Sequence, residues 1–114
     1  MKAFSRVLSA VREISVDDLA RQPQLRIIDV RQPAEFHGDL GHIPNAELVP
    51  LQTIQRASRG WDRNEPIAVV GRSGARSMQA AQMLLSAGFE NVLNVSGGTM
   101  AWRQRHAAQT QARA

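Results

Sequence analysis

At 114 residues, with 43% hydrophobic residues and no cysteine, the chain is long enough to bury a core without disulfide or metal staples, and it reads as one domain over residues 1–114. Its net charge is +4, and 13 of its 14 basic residues are arginine, but these are scattered and lack an aromatic ladder, so no nucleic-acid partner is expected. No apolar run approaches the ~18 residues of a membrane span, and Arg6 interrupts the start before a signal-like stretch can form, so a cytoplasmic protein with no membrane partner is expected.

In chain order, Ser15-Val16-Asp17-Asp18 opens a helix. Ser15 is its cap, Asp18 sits at the capping-box position, and Leu19 starts the apolar face. Pro23 closes it. Leu25–Val30 reads as a strand with the continuous apolar centre of a parallel sheet covered on both faces. Pro33 suits the first turn of a short helix through Phe36. Gly38, Gly41 and Pro44 mark turns, and Ala46–Val49 is a second short strand. Residues 51–57 are expected to be helical, with Gly60 and Pro66 bracketing a loop. Ile67–Val70 is the third strand. A helix over Ser77–Ala87 ends at Gly88, Asn91–Val95 is the last strand, and a helix from Thr99 fades into a polar tail. Strands alternating with helices argue for right-handed βαβ units, hence an α/β fold with a parallel sheet of four or five strands.

The segment between the third strand and the next helix, Gly71-Arg72-Ser73-Gly74-Ala75-Arg76-Ser77, carries the functional signal. A strand, a tight loop and a helix N-terminus bring successive backbone N–H groups onto an anion. Gly71 and Gly74 allow the backbone conformations with φ > 0 that such a loop needs. Arg72 and Arg76 offer positive charge, while Ser73 and Ser77 offer hydroxyls. Ser77 read more plainly is the helix N-cap, and the whole segment read plainly is a βα turn with solvated arginines. The expected ligand is a small oxyanion.

The same loop resembles the active-site loop of rhodanese-type sulfurtransferases, in which a cysteine, four residues and an arginine lead into a helix. Gly71 stands at the cysteine position and Arg76 at the arginine position. Two further segments resemble the family in the family's order: Ile27-Ile28-Asp29-Val30-Arg31-Gln32-Pro33-Ala34-Glu35-Phe36 followed by Gly41-His42-Ile43-Pro44-Asn45-Ala46, and Asn94-Val95-Ser96-Gly97-Gly98-Thr99-Met100-Ala101-Trp102. The resemblance spans residues 12–103, leaving 104–114 as an expected frayed end. It implies one rhodanese-like domain, a five-stranded parallel sheet with helices on both faces. It also implies sulfane-sulfur transfer through a loop persulfide, in which the N–H donors stabilise first a thiolate and then the bound sulfur.

Gly71 has no side chain with which to form that persulfide. Ser73 is no substitute, because an unactivated hydroxyl needs a neighbouring base and the loop contains no histidine. The chain as written is therefore expected to be inactive in that reaction. The alternative is a non-catalytic module that binds an anion or a protein partner through residues 71–77. A phosphatase is disfavoured, since relatives within this fold that hydrolyse phosphate use a loop one residue longer.

Asp29 and Arg31 end a strand on the side where open α/β sheets place their sites. They either support the loop, Asp29 anchoring backbone and Arg31 adding positive potential, or form a structural pair with Glu35; the second reading is favoured. His42 in the Gly-His-Ile-Pro turn reads as a structural histidine, and His37 and His106 as surface residues. Trp102 and Met100 are expected to pack the last helix on the sheet. No spacing of His, Asp and Glu resembles a metal site, no cofactor is expected, and a monomer is expected.

Overall fold

The computed structural model describes residues 11–106. Five strands, β1 (Arg12–Ile14), β2 (Arg26–Asp29), β3 (Glu47–Leu48), β4 (Ile67–Val70) and β5 (Val92–Val95), form one parallel sheet in the order β1-β5-β4-β2-β3. Helices α1 (Val16–Ala20), α2 (Pro33–Phe36), α3 (Ile54–Ala57), α4 (Ala75–Ser86) and α5 (Gly98–His106) join them, with 3₁₀ turns at Leu51–Thr53 and Ser58–Gly60 flanking α3.

Alternation along the central strands divides the core. Ile67 and Val69 pack with Ile28, Ile54, Ala80, Ala81 and Leu84 under α3 and α4. Ala68 and Val70 pack with Ile14, Leu19, Ile27 and Trp102 under α1 and α5. All four residues of β4 are fully buried, as expected for a central strand covered on both faces.

Local signals set several boundaries. Asp18 donates its N–H to Ser15 Oγ at 3.0 Å, so Ser15 caps α1. Pro33 is in the first turn of α2, where Glu35 and Gln32 complete a capping box. Gly88, with φ +99°, follows the end of α4.

Three features differ from the sequence reading. The edge strand β1, whose Arg12 and Glu13 are exposed, gave no periodic signal; it exists because it pairs with β5 in the register Glu13–Asn94. Helix α4 starts at Ala75 rather than Ser77, with Gly74 as its N-cap. Residues 104–106, expected in a frayed end, continue α5, and His106 Nε2 lies 3.1 Å from Asp17 Oδ1. The readings of the segment before Val11 and of the tail beyond His106 fall outside the described residues. Among the described residues no helix is long and apolar enough to cross a membrane.

Candidate functional site

Strand order decides what meets at the C-terminal edge of the sheet. Because β4 lies between β5 and β2, the loop after β4 is flanked by Ser96–Gly98 on one side and by Val30–Glu35 on the other. Open α/β sheets form their ligand crevices at such a switch point.

The loop is bolted to α5. Thr99 donates its N–H (2.9 Å) and its hydroxyl (3.0 Å) to the Gly71 carbonyl, and Met100 N–H donates to the Arg72 carbonyl at 3.1 Å. That approach requires Gly98: with φ +61°, a Cβ there would lie 2.5 Å from the Arg72 carbonyl oxygen and 2.6 Å from that of Gly71. The carbonyls of the loop are thus turned to α5. Among the described residues, the N–H groups of Arg72 to Ser77 find no acceptor in the protein, and such free donors at the start of a twelve-residue helix favour negative charge.

Gly74 adopts φ +130°, the conformation the sequence reading assigned to it. Gly71 does not. It is absent from the positive-φ glycines, and a Cβ built on it would sit 3.4 Å from Ser77 N and 3.6 Å from Ser77 Cβ, ordinary van der Waals contact. The freedom that Gly71 allows is therefore not used; the position accepts a side chain, and a backbone donor already lies beside it. Gly71→Ala should accordingly be neutral or stabilising by up to about 1 kcal/mol, because it removes unfolded-chain entropy without strain. Urea unfolding measures this, and a loss above about 1 kcal/mol would contradict the geometry.

Ser77, read as a possible N-cap, is instead the third residue of α4 and fully buried. Its hydroxyl lies 3.0 Å from the Gly74 carbonyl and 2.5 Å from Asn94 Oδ1, whose Nδ2 donates to Glu13 at 3.1 Å. Ser77 is thereby left to face position 71 with its N–H. Ser73 and Ala75 are exposed. Arg72 is also exposed, its Nη1 3.1 Å from Met100 Sδ.

Arg76 is not a free cation. Its Nη1 and Nη2 donate to the two oxygens of Glu35 at 2.6 and 2.7 Å, a bidentate pair. Gln32 N–H donates to the same carboxylate at 3.0 Å. The Arg76 hydrogen bonds hold the Glu35 carboxyl down to about 2, and Glu35 in turn raises Arg76. An acid whose folded pKa is depressed contributes stability above its unfolded value near 4.5 and loses it as pH falls towards 2. With the Arg76 side chain 36% exposed, screening leaves about 1–2 kcal/mol of this. Glu35→Gln should therefore cost that much at pH 6 and nothing near pH 2, read from unfolding curves across the range; a constant difference would contradict the pairing.

Asp29 and Arg31 are brought together, 0% and 1% exposed. The Asp29 carboxylate accepts the Arg31 backbone N–H at 3.0 Å, Nε at 3.0 Å and Nη2 at 2.8 Å. Arg31 also donates to the carbonyls of Gly41 (2.7 Å) and Glu35 (3.3 Å). The pair fixes the chain around α2; Glu35 joins it through its carbonyl while its carboxylate goes to Arg76. His42 Nδ1 is 2.9 Å from the Phe36 carbonyl, and its ring stacks on Phe36 at 3.7 Å. Trp102 is buried under the sheet. A cleft of about 290 Å³ opens beside the loop, with Arg31, Glu35, Asp39, Leu40 and Arg72 in its lining. No group of acidic and histidine side chains among the described residues could hold a metal ion.

Sequence reasoning missed Glu35 as the partner of Arg76, and Thr99 and Gly98 as the loop's anchors. The Glu35–Arg76 pair is separated by 41 residues, and only the β2–β4 pairing brings it together.

The rhodanese-like domain family profile matches residues 15–105. A sulfurtransferase of Allochromatium vinosum is 33% identical over 81% of this chain and 88% of its own length. The thiosulfate sulfurtransferase GlpE of Vibrio cholerae is 33% identical over 75% of this chain and 79% of its own length. Among solved structures, a rhodanese-like domain protein from Staphylococcus aureus superposes with a TM-score of 0.73 at 32% identity, covering 81% of this chain and 91% of that one. The chain spans about half the length of two other relatives, from Synechocystis (49%) and Bacillus subtilis (52%).

Proposed function

Given that the chain belongs to the rhodanese-like domain family, we propose that it holds a small sulfur-containing or other oxyanion in the 71–77 loop without forming a covalent bond to it. Family membership supplies the sulfur chemistry; the missing side chain removes the step that carries sulfur on the protein. The observation behind this reading is the geometry at Gly71, where a Cβ fits 3.4 Å from Ser77 N and no thiol is present anywhere in the chain. A side chain fits at the nucleophile's place beside a backbone donor, and the chain carries none there.

Binding then rests on the free N–H groups of residues 72–77 and on Arg72. Hydrogen bonds to a charged ligand contribute about 1.5–3 kcal/mol each before competition with water. An open loop against bulk solvent gives a dissociation constant on the order of 1–10 mM, near 3–4 kcal/mol in total. Thiosulfate titration followed by amide NMR should shift residues 71–78 saturably and leave thiosulfate intact. Shifts confined to other regions, or none at tens of millimolar, would refute the site.

A further inference from the structure

A chain of polar side chains runs from the edge of the sheet to the first turn of α4. Ser77 and Asn94 are 0% and 4% exposed, and they meet on the face of the sheet that α4 covers. The Ser77 hydroxyl has one proton to give and lies 2.5 Å from Asn94 Oδ1 and 3.0 Å from the Gly74 carbonyl. Asn94 Nδ2 donates to the Glu13 carboxylate at 3.1 Å, and the Ser96 hydroxyl donates to the same carboxylate at 2.7 Å. A carboxylate only accepts, so Glu13 claims the NH₂ of Asn94 and leaves Oδ1 for Ser77. The orientation of a buried amide is thereby set from the exposed strand β1.

Resting on the reading of residues 71–77 as an oxyanion loop, we propose that Asn94, held by Glu13, is a positioning residue that aims the Ser77 N–H at the ligand. Ser77 is the last residue of the first turn with a free N–H, since Met78 already donates to the Gly74 carbonyl at 3.0 Å. Its nitrogen lies 3.4 Å from where a Cβ at position 71 would stand. The bond to Asn94 ties this turn to β5. Without it the hydroxyl keeps only the longer contact to Gly74, within its own turn, and the donor loses its anchor to the sheet. Donors fixed before the ligand arrives need no reordering when it binds. Glu13 therefore acts on the ligand through two side chains, and against the sign of its own charge: a carboxylate repels an oxyanion, yet this one strengthens its binding.

Thiosulfate titrations at constant ionic strength, followed on the amides of residues 71–78, test this. Asn94→Ala should weaken binding by about three- to tenfold, because a hydrogen bond to the charged ligand is misaimed rather than deleted. Ser77→Ala should weaken it similarly, and the double variant should lose no more than the weaker-binding single one, since both remove the same bond. Glu13→Ala, at an exposed position, supplies the sign. Loss of its negative charge alone would tighten an anion, whereas release of Asn94 should loosen it. Glu13→Gln keeps an acceptor for the Asn94 amide and should restore at least the affinity of the parent. Should Asn94→Ala fail to fold, the two Glu13 variants decide. Unchanged binding in a folded Asn94→Ala protein, additive losses in the double variant, or unchanged or tighter binding in Glu13→Ala would overturn the role of Asn94 and leave the loop as a binding site. A parent loop that thiosulfate does not perturb would overturn both.

Discussion

Gly71→Cys should create thiosulfate-to-cyanide sulfur transfer in a protein that otherwise shows none above background. A cysteine Cβ at position 71 lies in ordinary contact with Ser77, and its sulfur would stand at the start of the twelve-residue α4. Helix N-terminal donors stabilise the thiolate over the thiol, so the nucleophile is populated near neutral pH. In the first half-reaction the thiolate attacks the outer sulfur of thiosulfate, the S–S bond breaks, and sulfite leaves with the electron pair. In the second, cyanide takes the outer sulfur of the persulfide as thiocyanate and returns the thiolate. Removing a covalent nucleophile from a site built around it costs up to about 10⁶-fold in the subtilisin case; restoring one to an otherwise intact site should raise turnover by about 10³-fold or more. Thiocyanate formation measures the rate, and alkylation of the single thiol should abolish it. A folded, alkylatable Gly71→Cys protein without activity would show that the loop is no sulfur cradle. Robust activity in the parent would require another nucleophile.

The second large effect belongs to the buried pair. Asp29→Asn leaves the Arg31 guanidinium, 1% exposed, without a counter-charge, and breaking such a pair from one side costs about 3–5 kcal/mol. The loss should appear as a lower urea midpoint at unchanged slope. The double change Asp29→Leu/Arg31→Met separates charge from shape: with no unpaired ion left, it should recover much of the stability, although the hydrogen bonds to the Gly41 and Glu35 carbonyls are also lost. If Asp29→Asn costs less than about 1 kcal/mol, water or a rearranged acceptor solvates Arg31 and the pair is not the staple of this corner. The Gly71→Cys protein and this pair probe different links, the first chemistry alone and the second the scaffold that holds α2, and with it Glu35, against the loop.

By itself the sequence determined the α/β class, four of the five strands, the Ser15 cap and the loop between β4 and α4. Those features are short-range: a run of apolar residues, a proline, a glycine or a hydroxyl at a fixed offset acts on its own few neighbours. The empty nucleophile position was legible for the same reason, since the absence of cysteine is a property of composition. Tertiary structure decided the rest. Strand β1 is three residues with two charged side chains and forms only against β5. The carbonyls of Gly71 and Arg72 are held by the Thr99 and Met100 bonds, and these come from a segment 28 residues away. Ser77 turns to Asn94 because β5 runs beneath α4. Arg76 reads from sequence as a cation open to a ligand, yet the sheet sets Glu35 against it. A side chain's charge is written in the sequence, but how much of that charge a ligand meets depends on the long-range packing that chooses its partner.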